Sequence, residues 1–338
     1  RILPGVVGAV LVGLVFGIVA LRRRSQATSR VSDPIRGELL NMHELQTHAV
    51  NTAKQHQTSV DPRVARPLLP RLRASHRVLD HAYREFSGAV RQNQPISPAA
   101  EWLLDNYYVI EQQVQHVEDN LPRRYYRELP KLISGEQAGL PRVFDIGLEL
   151  IAHTHSRLTE ELITAFVQAY QPIDHLTIGE LWALPLLLRL GLLDDLGRMA
   201  TGMLTATQAW QEANALADQL LASPDRPPDE LIGMLEQRVR NEQELSCTFV
   251  SQLFYRLRAL DAGGQPVLEW LERWLAAQGT NVEMLVAAEH ERQAGNQVAV
   301  SNDIASLRLV SLTDWRDFFE RTSLVEQTLR LDSIDMYG

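Results

Sequence analysis

Twenty consecutive residues without a charge, Ile2 to Leu21, constrain this chain more than any other stretch. As a helix at about 1.5 Å per residue the run reaches roughly 30 Å, the hydrocarbon thickness of a bilayer, and it reads as one transmembrane helix. Gly5, Ala9, Gly13 and Gly17 recur every four residues on one face. Such a stripe lets a second membrane helix approach closely, although glycine is also common in spans that have no partner, and both readings stand. Arg22, Arg23 and Arg24 follow at once, with Arg30 and Arg36 behind them. The positive-inside rule therefore places the C-terminal side in the cytoplasm, and the basic flank suits anionic membrane lipid. Because the positive charge follows the apolar run and no small-residue cleavage site succeeds it, a removable signal peptide is disfavoured.

Beyond residue 24 the sequence reads as helices throughout. No stretch alternates at period two, and β-branched runs between glycine turns are missing, so the expected fold class is all-α, a helical bundle or helical array preceded by the single span. The segments PIRGELLNMHELQTHAVNTAKQ and PLLPRLRASHRVLDHAYREFSGAV give two helices, the first with Asp33 as cap and Pro34 in the first helical position. Thr58 to Pro67 is a polar loop between them. Ser97 and Pro98 open a helix whose Trp102, Leu103, Tyr107, Val109, Ile110, Val114 and Val117 form one stripe, and Pro122 ends it. Val143–Ser156 and Leu158–Gln171 follow, the latter capped by Thr159.

Thr177 and Glu180 form a capping box that opens a long apolar helix, with a kink expected at Pro185. Its Leu181–Leu193 run, broken by Arg189, reads as a buried core helix in preference to a second membrane span. The polar Ser223–Glu230 stretch marks a boundary, which gives a membrane segment at 1–24, a helical domain at 33–222 and a second helical subdomain at 228–332. Later helices are expected near Leu231–Asn241, Glu244–Leu260, Pro266–Gln278, Val282–Ala294 and Asn302–Arg330, the last broken by a Ser311/Asp314 box.

Chemistry is harder to find. With a net charge of −9, nucleic-acid binding is not expected. A disulfide framework is excluded by the lone Cys247, which is read as a buried, inert thiol. The sequence holds no D-x-D, no phosphate-cradling glycine loop and no G-x-S-x-G elbow. His153 and His155 would share a face only on a strand, and on a helix they diverge, so no metal site is assigned. The adjacent Asp194 and Asp195 read as helix-face or capping residues. Asp105, Glu111, Glu128, Glu180 and Glu320 supply no pair that spacing singles out as an acid–base dyad. No catalytic residue is assigned.

The densest cluster is RRYYRELP, where Arg123, Arg124, Arg127 and Glu128 surround Tyr125 and Tyr126, with Tyr107 and Tyr108 on the preceding helix. The arginines are candidate phosphate or docking contacts, and the tyrosines are candidate sugar contacts or glucan acceptors through a deprotonated phenol. The other reading is an Arg–Glu pair and packed rings that lock two helices together.

These residues also carry a resemblance. EWLLDNYYVIEQQ, LPRRYYRELPKL, PRVFDIGLELIAHTHSRL, LTIGELWALPLLLRL, RVRNEQELSCTFVSQLF and DWRDFFERTSLVEQTLR resemble, in order, the N-terminal region of cyclic β-1,2-glucan synthases. The resemblance implies a very large bacterial inner-membrane glycosyltransferase that polymerises glucose from UDP-glucose, with a divalent metal, on the cytosolic side and on a glucan attached to the polypeptide. In that reading this chain, which begins at Arg1 and ends at Gly338, is part of a longer protein. It would be an accessory region for anchoring, docking or priming, with no cofactor of its own, and its partners would be membrane lipid, downstream synthase domains and nascent glucan. The alternative is a helical scaffold that binds a protein partner and does no sugar chemistry.

Overall fold

The computed structural model describes residues 34–221, 228–242, 245–258 and 265–324. The apolar run Ile2–Leu21, its basic flank and Asp33 lie outside the described residues. Among those described, the fold is all-α with one two-stranded ribbon.

The chain enters as an extended arm, Pro34–Leu40, and not as the helix expected from Asp33 and Pro34. Helix α1 (Met42–Gln55) starts instead at Asn41, whose side chain accepts from the His43 and Glu44 amides while the Glu44 carboxylate accepts from the Asn41 amide. That reciprocal box satisfies orphan donors at both positions. The arm's own amides find distant partners: Ile35 N–H donates to the Asp195 carboxylate, Gly37 N–H to the Ala152 carbonyl at 3.1 Å and Leu40 N–H to the His153 carbonyl at 3.0 Å.

The loop read between the first two helices contains β1 (Thr58–Ser59), which pairs antiparallel with β2 (Lys131–Leu132), a departure from the purely helical expectation. Helix α2 (Leu69–Arg91) buries Leu72, Leu79, Ala82, Phe86 and Ala89 at helical spacing. The helix expected from Ser97 to Leu121 is two: α3 (Pro98–Asp105), capped by Ser97, and α4 (Tyr107–Asn120). Asn106 breaks them. Its buried amide donates to the Trp102 carbonyl at 2.8 Å and accepts from Arg308 at 2.6 Å, so the side chain competes with the backbone ladder. Trp102 is correspondingly turned outward, 40% exposed, while Leu103, Val109, Ile110, Val114 and Val117 are buried.

RRYYRE is itself a short helix, α5 (Arg123–Glu128). Then come α6 (Arg142–Thr154), α7 (Glu160–Tyr170), capped by Thr159, and α8 (Ile178–Leu221), opened by the Thr177–Glu180 box. Helix α8 is 44 residues long and runs through Pro185. From residue 183 to residue 197 it is buried on every face, packed by α2, α4, α6 and α12, which identifies this apolar stretch as a core helix. None of the helices among the described residues is long and apolar enough to cross a membrane.

The remaining elements are α9 (Pro228–Glu242), α10 (Cys247–Arg258), α11 (Gln265–Ala277), α12 (Val282–Leu312) and α13 (Trp315–Thr322). Helix α12 is continuous where two helices were expected. The next one starts at Asp314, which caps the Arg316 and Asp317 amides, whereas Ser311 bonds inward to Leu307 and Gln113. Cys247 is half-buried at the start of α10. Buried apolar side chains form two clusters. The first takes α1–α8 as far as Leu204, then Ala299–Val310 of α12 and Phe318. The second joins Ala209–Ala217 of α8 to α9, α10, α11 and Val282. Two long helices, α8 and α12, thus belong to both.

Candidate functional site

The tyrosines and arginines singled out by the sequence separate into half-buried and exposed sets. Tyr125 Oη donates to the Gly179 carbonyl at 2.6 Å, and burial together with the Glu180 charge pushes its phenol up to about 12. Tyr126 donates to the Arg66 carbonyl, and burial raises it further. Tyr107 stacks on Tyr83 with centroids 4.2 Å apart, and burial and the Glu111 carboxylate hold its proton on. Each of these three phenols is a poorer nucleophile than free tyrosine. Tyr108 is 63% exposed and receives a bond from Arg308 at 3.0 Å. Arg123, Arg124 and Arg127 are exposed, with Arg124 paired to Glu128 at 3.3 Å. Beneath them Lys131 is fully buried, 4.6 Å from the Tyr126 ring centroid and donating to the Tyr126 carbonyl at 2.6 Å. Burial pushes its ammonium down to about 8.

The groups that converge most closely lie elsewhere, in a cleft of about 670 Å³ between the arm, α1, α6 and the turn after β2. Packing α1 against α6 brings His48 and His56 onto Asp145 and Glu149. His56 Nε2 sits 2.9 Å from Asp145 Oδ2, and its Nδ1 sits 2.7 Å from the hydroxyl of fully buried Tyr170. Burial raises Tyr170, so the phenol keeps its proton and donates to Nδ1, leaving Nε2–H for the carboxylate. One turn away, His48 Nε2 is 2.7 Å from Glu149 Oε2, and His153 Nε2 is 3.3 Å from the same oxygen. Burial works against the charge of Glu149, but the bond from His48 and the positive field of His48, His153 and His56 outweigh it and keep the carboxyl below its ordinary range.

His153 and His155, the H-x-H pair, diverge as helical geometry requires. His153 Nδ1 bonds the Glu38 carbonyl at 2.7 Å, and His155, in the left-handed conformation at φ 49°, reaches the Gly37 carbonyl at 3.0 Å through Nε2. Both therefore hold the arm. Asp194 and Asp195 diverge too. Asp194 takes Arg71 at 2.7 Å, Ser75 at 3.1 Å and Arg198 at 3.3 Å. Asp195 clamps the arm at Ile35 and faces fully buried Asp303 of α12. Burial pushes Asp195 up to about 6, and burial plus the Asp195 charge hold Asp303 well above the carboxylate range.

Sequence reasoning missed His48, His56, Asp145, Glu149 and Asp303. One signal was present: Glu149 and His153 stand four apart, the spacing that shares a helical face. His48 lies 101 residues from Glu149, and only tertiary packing joins them. Among the other expected carboxylates, Glu180 is fully buried and accepts both prongs of Arg142, at 2.6 and 2.9 Å, while Arg142 also reaches Asp174. That arrangement ties the start of α6 to the start of α8, a structural use of charge.

No family model matches this chain. A cyclic beta-(1,2)-glucan synthase of Rhizobium meliloti (strain 1021), NdvB, is 34% identical to it over 300 residues. The match takes in 88% of this chain and 10% of the relative, so the chain spans about a tenth of the length of the protein it resembles.

Proposed function

Because the chain belongs to the cyclic β-(1,2)-glucan synthase family, we propose that it serves such a synthase as a helical accessory region that anchors and docks the catalytic parts and contains no catalytic centre for glucose transfer. In this reading Ile2–Leu21 crosses the bacterial inner membrane and the helices lie on the cytosolic side. The parent polypeptide draws glucose from UDP-glucose with a divalent metal held by other domains, and nascent glucan passes near this region.

The observation that carries the reading is the arm. It follows the apolar run in chain order and is fixed to the helical body at Asp195, Ala152 and His153. Such a junction couples an anchor to a folded block. The exposed guanidiniums of Arg123, Arg124 and Arg127 then offer contacts for neighbouring acidic surface or phosphate. Deleting Pro34–Gly338 from the parent synthase while keeping the span is expected to abolish or sharply reduce glucan formation. Unchanged output would overturn the proposal. A stable complex with an unrelated protein, together with undiminished glucan synthesis after the deletion, would favour the interaction scaffold.

A further inference from the structure

The trio His48, Glu149 and His153 has the chemistry and spacing of a metal site. Helix α6 contributes Glu149 and His153 four residues apart, on one face, and α1 contributes His48 from across the helix pair. Their ligand atoms all lie within 4.8 Å of one another. The separation of 3.3 Å between His153 Nε2 and Glu149 Oε2 is that of two ligands about 2.0–2.1 Å from a tetrahedral ion. The 2.7 Å contact between His48 and Glu149 has to open by only about half an ångström to match it.

The outer hydrogen bond of His153 points the same way. A backbone carbonyl can only accept, so His153 must carry its proton on Nδ1 to bond Glu38, as a metal-bound histidine does when its second nitrogen is held by an outer partner. Nε2 is then the nitrogen on the Glu149 side, 3.3 Å from Oε2. The His153 ring cannot turn away freely, because Gly37 lies against it: a Cβ at that position would come within 2.7 Å of His153 Cε1. His48 and Glu149 line the 670 Å³ cleft, which gives an ion a route in.

We propose that His48, Glu149 and His153 bind one divalent transition-metal ion, with zinc the best match to two imidazoles and one carboxylate, and with its remaining coordination open to the cleft. The assignment does not depend on the accessory role above. It was not legible from the H-x-H pair, because the partner of His153 is the carboxylate one turn back.

The test uses untagged, metal-depleted chain titrated with zinc alone and with cobalt(II) as a spectroscopic substitute. The expected result is one ion per chain, a tetrahedral cobalt visible spectrum and a higher melting temperature. Imidazole scattering from two histidines is expected in X-ray absorption of the zinc-loaded wild type, a measurement that needs no variant. His48→Gln and Glu149→Gln, checked for unchanged helical circular dichroism, should each weaken binding beyond the roughly 10–100-fold that loss of an outer hydrogen-bond partner brings. Exposed His81→Gln should not. Failure of the wild type to bind one equivalent, or binding that survives both variants, would overturn the site and leave the trio as a histidine–carboxylate ion pair.

Discussion

Asp195 and Asp303 place two carboxyl groups in the interior, both fully buried, with Ile35 N–H and Ser156 Oγ approaching Asp195. A carboxyl whose folded pKa is raised holds a proton that the unfolded chain releases. The stability it contributes is therefore complete below the ordinary value of 3.8 and is lost as pH rises, through about 6 for Asp195 and through the raised range of Asp303 in the same direction. Asp303→Asn removes one charge without changing shape. It is expected to be more stable than wild type at pH 7.5, by on the order of 2 kcal/mol, with the gain shrinking toward zero at pH 4. Urea midpoints at the two pH values measure this, and a gain independent of pH would contradict the account. Neither the pairing nor the cleft histidines could be read from the sequence. Asp195 and Asp303 stand 108 positions apart, and a lone aspartate in a helical pattern looks the same whether it faces water or another acid. What could be read was the divergence of Asp194 from Asp195 and of His153 from His155, since both follow from 100° per residue.

At the level of elements, local signals were the reliable ones. The caps at Ser97 and Thr159 and the Thr177–Glu180 box depend on side chains within three residues of the amides they satisfy, and the structure has each of them. The arm was misread as helix because its amides are satisfied by groups over 100 residues away, among them Asp195 at a separation of 160. Its route along α6 also has a steric condition. Gly37→Ala puts a methyl against His153 with no room, so the arm must lift from α6. A cost of about 1–3 kcal/mol is expected. Hydrogen exchange should speed selectively at the amides of Gly37 and Leu40, and exchange unchanged at both would show that the ring gives way and the arm stays. The ribbon of β1 and β2 was invisible for a different reason, two residues being too few to display a period.

Over the whole molecule, the all-helical class and the centrality of α8 were legible because a stretch as apolar as Leu181–Leu193, interrupted by the single charge of Arg189, is either buried on all sides or spans a lipid layer. The partition of the core was not, since it runs across α8 and α12 and leaves the polar Ser223–Glu230 stretch between α8 and α9, two contributors to the second cluster. Leu253→Ala in that second cluster removes a fully buried side chain at an expected cost of about 2–5 kcal/mol. Protection should fall in α10 and α11 while α6 and α7 keep theirs, the behaviour of a cooperative unit that opens by itself. Uniform loss of protection would instead make the two cores one folding unit.

Helix α8 measures about 66 Å at 1.5 Å per residue, with one core gripping its first part and the other its last. It works as a keyed shaft. The azimuth of one core about this axis is indexed to that of the other through the few residues between Leu204 and Ala209, so gaining or losing a single residue there would turn one assembly against the other by about 100° and shift it by about 1.5 Å.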